Sequence, residues 1–137
     1  MRRLAVALLS VTVMTTGCGK SQSAKEKWVA ASVKACDTRA DKVRVASAQL
    51  TGSSDADQFA QFFRQFYEPA YRAQLDAQRA AGPPDETARA LVDDTAKVLD
   101  LMAADPGSFA VAPNPFADVD PRWNAYGLVA CGTREGE

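Results

Sequence analysis

Apolar residues recur every three or four positions from about residue 25 to about residue 104, and no segment alternates in the two-residue rhythm of a strand. That one feature restricts the chain to packed helices. Val29, Val33, Cys36, Ala40, Val43, Ala46 and Leu50 draw one stripe along a first helix from about Lys25 to Leu50. Thr51 to Asp55 reads as a turn, with Ser54 or Asp55 to cap the next helix. A second helix, about Asp55 to Ala81, has a main stripe of Phe59, Phe63, Phe66, Ala70, Ala73 and Ala77 and a flanking one of Tyr67, Tyr71 and Leu75. Pro69 lies inside it, removes one backbone hydrogen bond and predicts a kink. Gly82-Pro83-Pro84 ends that helix.

A third helix runs from about Asp85 to Ala104 on Ala88, Leu91, Thr95, Val98 and Met102, widened by Val92 and Leu99. Asp105-Pro106-Gly107 stops it, and Ser108 to Pro115 reads as a loop packed by Phe109 and Val111. Phe116, Val119, Trp123 and Tyr126 suit one face of a short last helix, with Gly127 at its C-terminal end. Either Asp120 caps that helix with Pro121 in its first turn, or a longer helix from Pro115 bends there. The expected fold is therefore all-α: a small bundle of three long helices and one short C-terminal helix over 26–132.

Residues 1–17 belong to a different kind of segment. Arg2 and Arg3, an apolar stretch from Leu4 to Met14 and the small residues Thr15, Thr16 and Gly17 stand in the order of a secretory signal. The stretch is too short to span a bilayer, which needs ~20 residues in helix. Cys18 comes directly after, and the arrangement resembles the lipobox of bacterial lipoproteins, in which a small residue precedes the lipidated cysteine. Thr15 stands where that pattern has an aliphatic residue. The resemblance implies cleavage before Cys18, a lipid on Cys18 and attachment to the outer face of the cell membrane. The plainer alternative is an ordinary signal cut nearby, with Cys18 incidental. Gly19 to Lys25 is small and polar, as a tether from Cys18 should be, and would reach about 20 to 25 Å if extended. Thr133 to Glu137 is expected to be a disordered tail.

Three cysteines in an exported chain leave one unpaired. With Cys18 lipidated, Cys36 and Cys131 remain as a pair, and an oxidising compartment favours their disulfide. Its loop would contribute about 4 to 5 kcal/mol through the chain entropy of the unfolded state. Of the 16 Lys and Arg residues, Arg2 and Arg3 leave with the signal, so 14 face 17 Asp and Glu. An acidic balance argues against nucleic acid as a partner, which needs a basic footprint.

The chain has no histidine. That removes the commonest general base, the His-dependent triad and the usual zinc and haem ligand. The carboxylates Asp85 and Glu86, Asp93 and Asp94, Asp118 and Asp120 fall where helices face water, and Asp93 has Lys97 four residues on as a surface ion pair. No catalytic residue, metal site or cofactor is expected. The aromatic set is the candidate binding feature, with Phe62, Tyr67, Tyr71 and Trp123 as its patch. Phe62 and Phe63 are adjacent and cannot both face one stripe, so one of them, or Trp28, is expected at the surface. Against this, a bundle with so many alanines needs large residues to fill its core.

The layout of a Cys in the first helix, a Pro-interrupted second helix, a Pro-Pro break and the ending Tyr126-Gly127-Leu128-Val129-Ala130-Cys131-Gly132 is similar to small exported helical proteins and lipoproteins of actinobacteria. The resemblance covers most of the chain after Cys18 and implies the disulfide, the compartment and the helical fold, and no activity. The expected role is a non-enzymatic binding or accessory module, anchored in membrane lipid through Cys18 and contacting an envelope protein. The alternative is a small-molecule carrier with an apolar pocket between the aromatic second helix and the last helix, where Tyr67, Tyr71 or Arg72 would supply polar contacts.

Overall fold

The computed structural model describes residues 22–48, 50 and 55–133, all helix, turn and loop with no strand among them. Residues 1–21, with the expected signal, Cys18 and part of the expected tether, lie outside the described residues, as does the expected tail from residue 134. Helix α1 spans Ala24–Ser47. Ser23 caps it by accepting from the Glu26 N–H at 3.2 Å, while the Glu26 carboxylate accepts from the Ser23 N–H at 2.6 Å. This reciprocal box satisfies two N–H groups that a helix start leaves without partners. The helix therefore begins inside the segment expected to be tether.

Asp55 caps α2 (Ala56–Phe62) through the Gln58 N–H at 2.8 Å. The chain then makes a π turn, Phe63–Tyr67, closed by the Glu68 N–H donating to the Phe63 carbonyl, and continues as α3 (Glu68–Ala80). In a regular α turn the Pro69 ring would strike the carbonyl four residues back. The wider turn that precedes Pro69 accommodates it, so a π turn stands where the sequence predicted a kink. Gly82, at φ 74°, lets the chain leave α3 in a left-handed conformation. Helix α4 (Glu86–Ala104) is capped by Asp85, which accepts from the Ala88 N–H at 2.8 Å. It stops at Asp105, the residue before Pro106, where a helical conformation is disfavoured. A 3-10 turn, Pro106–Phe109, comes next.

The last helix, α5 (Asp120–Ala125), is short, with Pro121 in its first turn and Gly127 at φ 91° just past its end. Phe116 and Val119 are buried from the turns before it. Val111, expected to pack the preceding loop, is exposed, whereas Phe109 is half-buried there. A final 3-10 turn, Val129–Cys131, brings Cys131 to Cys36. The two form a disulfide joining residues 95 apart, buried between α1 and the C-terminal segment.

Helices α1 and α3 pack side by side, with α4 against α3 and the C-terminal segment against α1. The core holds Trp28, Cys36 and Val43 of α1, Tyr71 and Leu75 of α3, and Leu91, Val92 and Leu99 of α4. Trp28 and Trp123 stack with centroids 6.5 Å apart, and Tyr126 meets Trp28 edge-on at 5.7 Å. Among the described residues, no helix is long and apolar enough to cross a membrane.

Candidate functional site: a trough between α1 and α3

The aromatic patch expected at the surface lies in the interior. Phe62, Tyr67, Tyr71 and Trp123 are all buried, Tyr71 and Trp123 to 1 % exposure. Tyr67 stacks on Tyr71 at 4.7 Å, and Tyr71 on Phe116 at 5.1 Å. The guanidinium of Arg39 sits over the other part of this stack, 4.3 Å from the Tyr71 ring centroid. The indole N–H of Trp123 donates to Thr95 Oγ1 at 3.1 Å, and that of Trp28 to the Gln78 carbonyl at 2.9 Å. Their polar handles are thus used inside the fold.

Phe62 and Phe63 are both buried, against the expectation that neighbours on a helix cannot both face inward. Neighbours on a helix stand about 100° apart, and an apolar face can be that wide, so each ring finds its own part of the core. Phe62 packs on Phe59, Phe66 and Tyr67, whereas Phe63 packs on Tyr67. The aromatic side chain left outside is Phe66, 42 % exposed.

From the π turn on, the two stripes of the second helical segment largely exchange roles, although Ala70 of the main stripe stays buried as expected. Tyr67, Tyr71 and Leu75, expected to flank, face the core with Gln74 and Gln78. Phe66, Ala73 and Ala77, expected to lead, face outward. They meet a second stripe on α1, formed by Ala31, Ala35, Thr38, Lys42 and Val45, also spaced four and three apart. Between the two lies a trough with an alanine floor. Its upper part, between Ala31 and Ala77, encloses about 340 Å³ and reaches Lys34, Lys42 and Arg39. Its lower part, between Val45 and Phe66, encloses about 490 Å³ and shares Lys42 and Ala70 with the first. Val45 is 59 % exposed.

The charges around the trough are predominantly positive. Lys34 and Lys42 stand on the exposed wall, and Arg39 is buried beneath, donating from Nη2 to the Gly132 carbonyl at 3.3 Å. The lining carboxylate, Asp41, is held by Arg44 at 3.2 Å. Sequence reasoning missed this site because it traced one stripe on α1. The 31-35-38-42-45 series was there to be read as the second.

A separate cavity of about 450 Å³ lies beside the aromatic segment, walled by Phe59, Phe62, Tyr67, Met102 and Phe109. It lies beside the loop after α4 and has no lining residue from α5, whose Trp123 packs with Tyr126 against Trp28 elsewhere in the core. Its Asn114 donates to Asp120 at 2.9 Å and accepts from the Phe116 N–H at 2.9 Å, so that polar group serves its own loop. Arg72 lies outside both cavities and pairs with Asp100 at 2.7 Å and Glu68 at 3.0 Å.

Asp85, Asp93, Asp94 and Asp120 of the acidic pairs have structural partners. Asp93 meets Arg79 at 3.3 Å, and it is Asp94, three residues before Lys97, that forms the ion pair expected of Asp93, at 2.8 Å. Lys97 and then Arg122 hold the Asp94 carboxyl below the usual carboxylate range. The Ala88 N–H, then the Tyr126 hydroxyl donating at 2.8 Å, do the same for Asp85. Among the described residues, no group of three or more metal-ligating side chains converges. No protein-family model matches the chain, and no curated protein and no solved structure is similar to it.

Proposed function

We propose that the protein is a lipid-anchored, extracytoplasmic binding module that engages an envelope protein through the α1–α3 trough. The single observation behind this reading is the division between a core whose rings and indole N–H groups are matched internally and one face where Val45, Phe66, Ala73 and Ala77 meet solvent. Exposed apolar grooves of this kind mark contact surfaces. Anchorage through Cys18 is supported by the signal-like order of residues 1–17 and the position of Cys18 directly after it. Membrane fractionation checks it: Cys18→Ala is expected to release the protein from the membrane, and unchanged membrane retention would sink the anchor.

The test of the module is photo-crosslinking in the native envelope. A photoreactive residue at Phe66 or Ala73 is expected to trap one recurrent protein, and the same residue at exposed Leu101 on α4 is not. Equal trapping at all three positions, or none, rules the reading out. A second reading, a small-molecule carrier, draws support from the 450 Å³ cavity, which falls in the range of about 300 to 1,000 Å³ usual for ligand sites. Native mass spectrometry is expected, on that reading, to find a co-purifying apolar molecule that Phe62→Trp displaces.

A further inference from the structure

We infer that the occupant of the trough is an amphipathic helix of a partner protein, with an apolar face and acidic flanks. The trough runs between α1 and the segment from Gln65 to Ala77, and along α1 from Ala31 to Val45 it covers 14 residue steps, or about 21 Å at ~1.5 Å per residue. That is four turns of a third helix. Its floor is made of Ala31, Ala35, Ala70, Ala73 and Ala77, whose single methyl groups let another helix approach closely. Val45 and Phe66 at the lower end supply larger apolar surface for its side chains.

The acidic flanks are inferred from charge. In a chain whose acidic residues outnumber its basic ones, the solvent-facing charges of the trough lining are Lys34 and Lys42 against Asp41, itself engaged by Arg44, while buried Arg39 is held by the C-terminal carbonyls. A helix with Asp or Glu beside its apolar face would find both attraction and a solvent-accessible rim, which favours encounter and orientation. The outer face of α4 does not match this description, since Arg89 and Lys97 accompany Asp93 and Asp100 there. The α4 face of a second copy is therefore a poorer occupant.

The inference rests on the binding-module reading and deepens it. The test is a display library of helical peptides with one apolar face and flanks free to be acidic, basic or neutral, panned against the intact chain. Peptides with acidic flanks are expected to be enriched, to lose binding to Ala73→Glu, and to bind Lys34→Glu with Lys42→Glu weaker by about tenfold or more. Both variants are at exposed positions, and unchanged thermal melting confirms their fold. Two substitutions of different kind keep the test decisive if one of them disturbs the helix pair. Enrichment of basic or neutral flanks, or of no peptide that distinguishes the wild type from Ala73→Glu, overturns the inference. So does a dimer, or binding to anionic phospholipid vesicles, that Ala73→Glu abolishes, since either places a different occupant on the trough. Library failure with envelope crosslinking intact removes the occupant's chemistry alone, whereas absent crosslinking removes the module itself.

Discussion

Trp123 shows how a side chain reads differently in sequence and in space. A tryptophan near a chain end looks available for contact, but its N–H is satisfied by Thr95 Oγ1 at 3.1 Å and both residues are 1 % exposed. Thr95→Val keeps the shape and removes the acceptor, leaving a buried donor without a partner. That costs about 1 to 3 kcal/mol, and urea unfolding monitored by tryptophan fluorescence is expected to show it. No loss would mean that Trp123 reaches water or another acceptor. Tyr126 makes a different kind of statement. Burial, then the hydrogen bond it donates to Asp85, push its pKa from 10.0 up to about 12. The folded state thus favours the protonated phenol, and its contribution is intact below pH 10 and lost as pH rises through about 12. Asp85 runs in the opposite sense: its carboxyl is held below 3.8, so its contribution is present above that value and lost as acid protonates it. Urea midpoints are expected to fall at both extremes, and Tyr126→Phe to flatten the alkaline fall. An unchanged alkaline fall in that variant would assign it to other groups.

At the scale of the element, helix existence was legible from periodicity, while the phase of the second helical segment was not. Start, stop and cap residues such as Asp55, Asp85 and Gly127 act locally and do what their chemistry says. A π turn has no comparable local code, and Pro69 announces only that something must give. The consequence is large, because one extra residue in a turn rotates everything beyond it. The Phe66-Ala73-Ala77 stripe moves to the surface and the Tyr67-Tyr71-Leu75 stripe to the core, and the trough comes into being. If the π turn is in effect an α-helix holding one surplus residue, it can lose one without rotating its flanks, at a cost of about 3 kcal/mol for the Pro69 ring then meeting a regular turn. Deletion of exposed Gln65 is expected to preserve the flanking phases and the near-ultraviolet circular dichroism of the aromatic core. Deletion of exposed Thr38 from regular α1 is expected to abolish both, since it swings half of that helix's buried face outward. Similar damage from the two deletions would remove this account of the π turn.

The whole molecule is held by a long-range link that three cysteines in one chain made readable. Counting thiols, with Cys18 set aside for the expected lipid, singled out Cys36 and Cys131, and they are bonded across 95 residues. Counting could not reveal what surrounds the bond. Cys36 is fully buried and Cys131 nearly so, with the Gln78 amide donating to their sulfurs at 3.5 and 3.7 Å. Nor could it reveal Arg39, whose guanidinium reaches from α1 to the Ala130 and Gly132 carbonyls and fastens the same C-terminal segment beside the sulfurs. A reductant must reach the sulfurs through that packing. Thiol alkylation with mass analysis is therefore expected to find the bond intact in dithiothreitol under native conditions, and broken once denaturant opens the bundle. Cys36→Ala with Cys131→Ala should lower the unfolding free energy by about 4 to 5 kcal/mol through the freed chain entropy. Against a total of about 5 to 15 kcal/mol for a domain, that loss brings the bundle near its limit. Fast native reduction would show that the C-terminal segment opens independently of the helices. A loss under about 1 kcal/mol in the double variant would instead assign the closure of the bundle to Arg39 and the buried rings rather than to the crosslink.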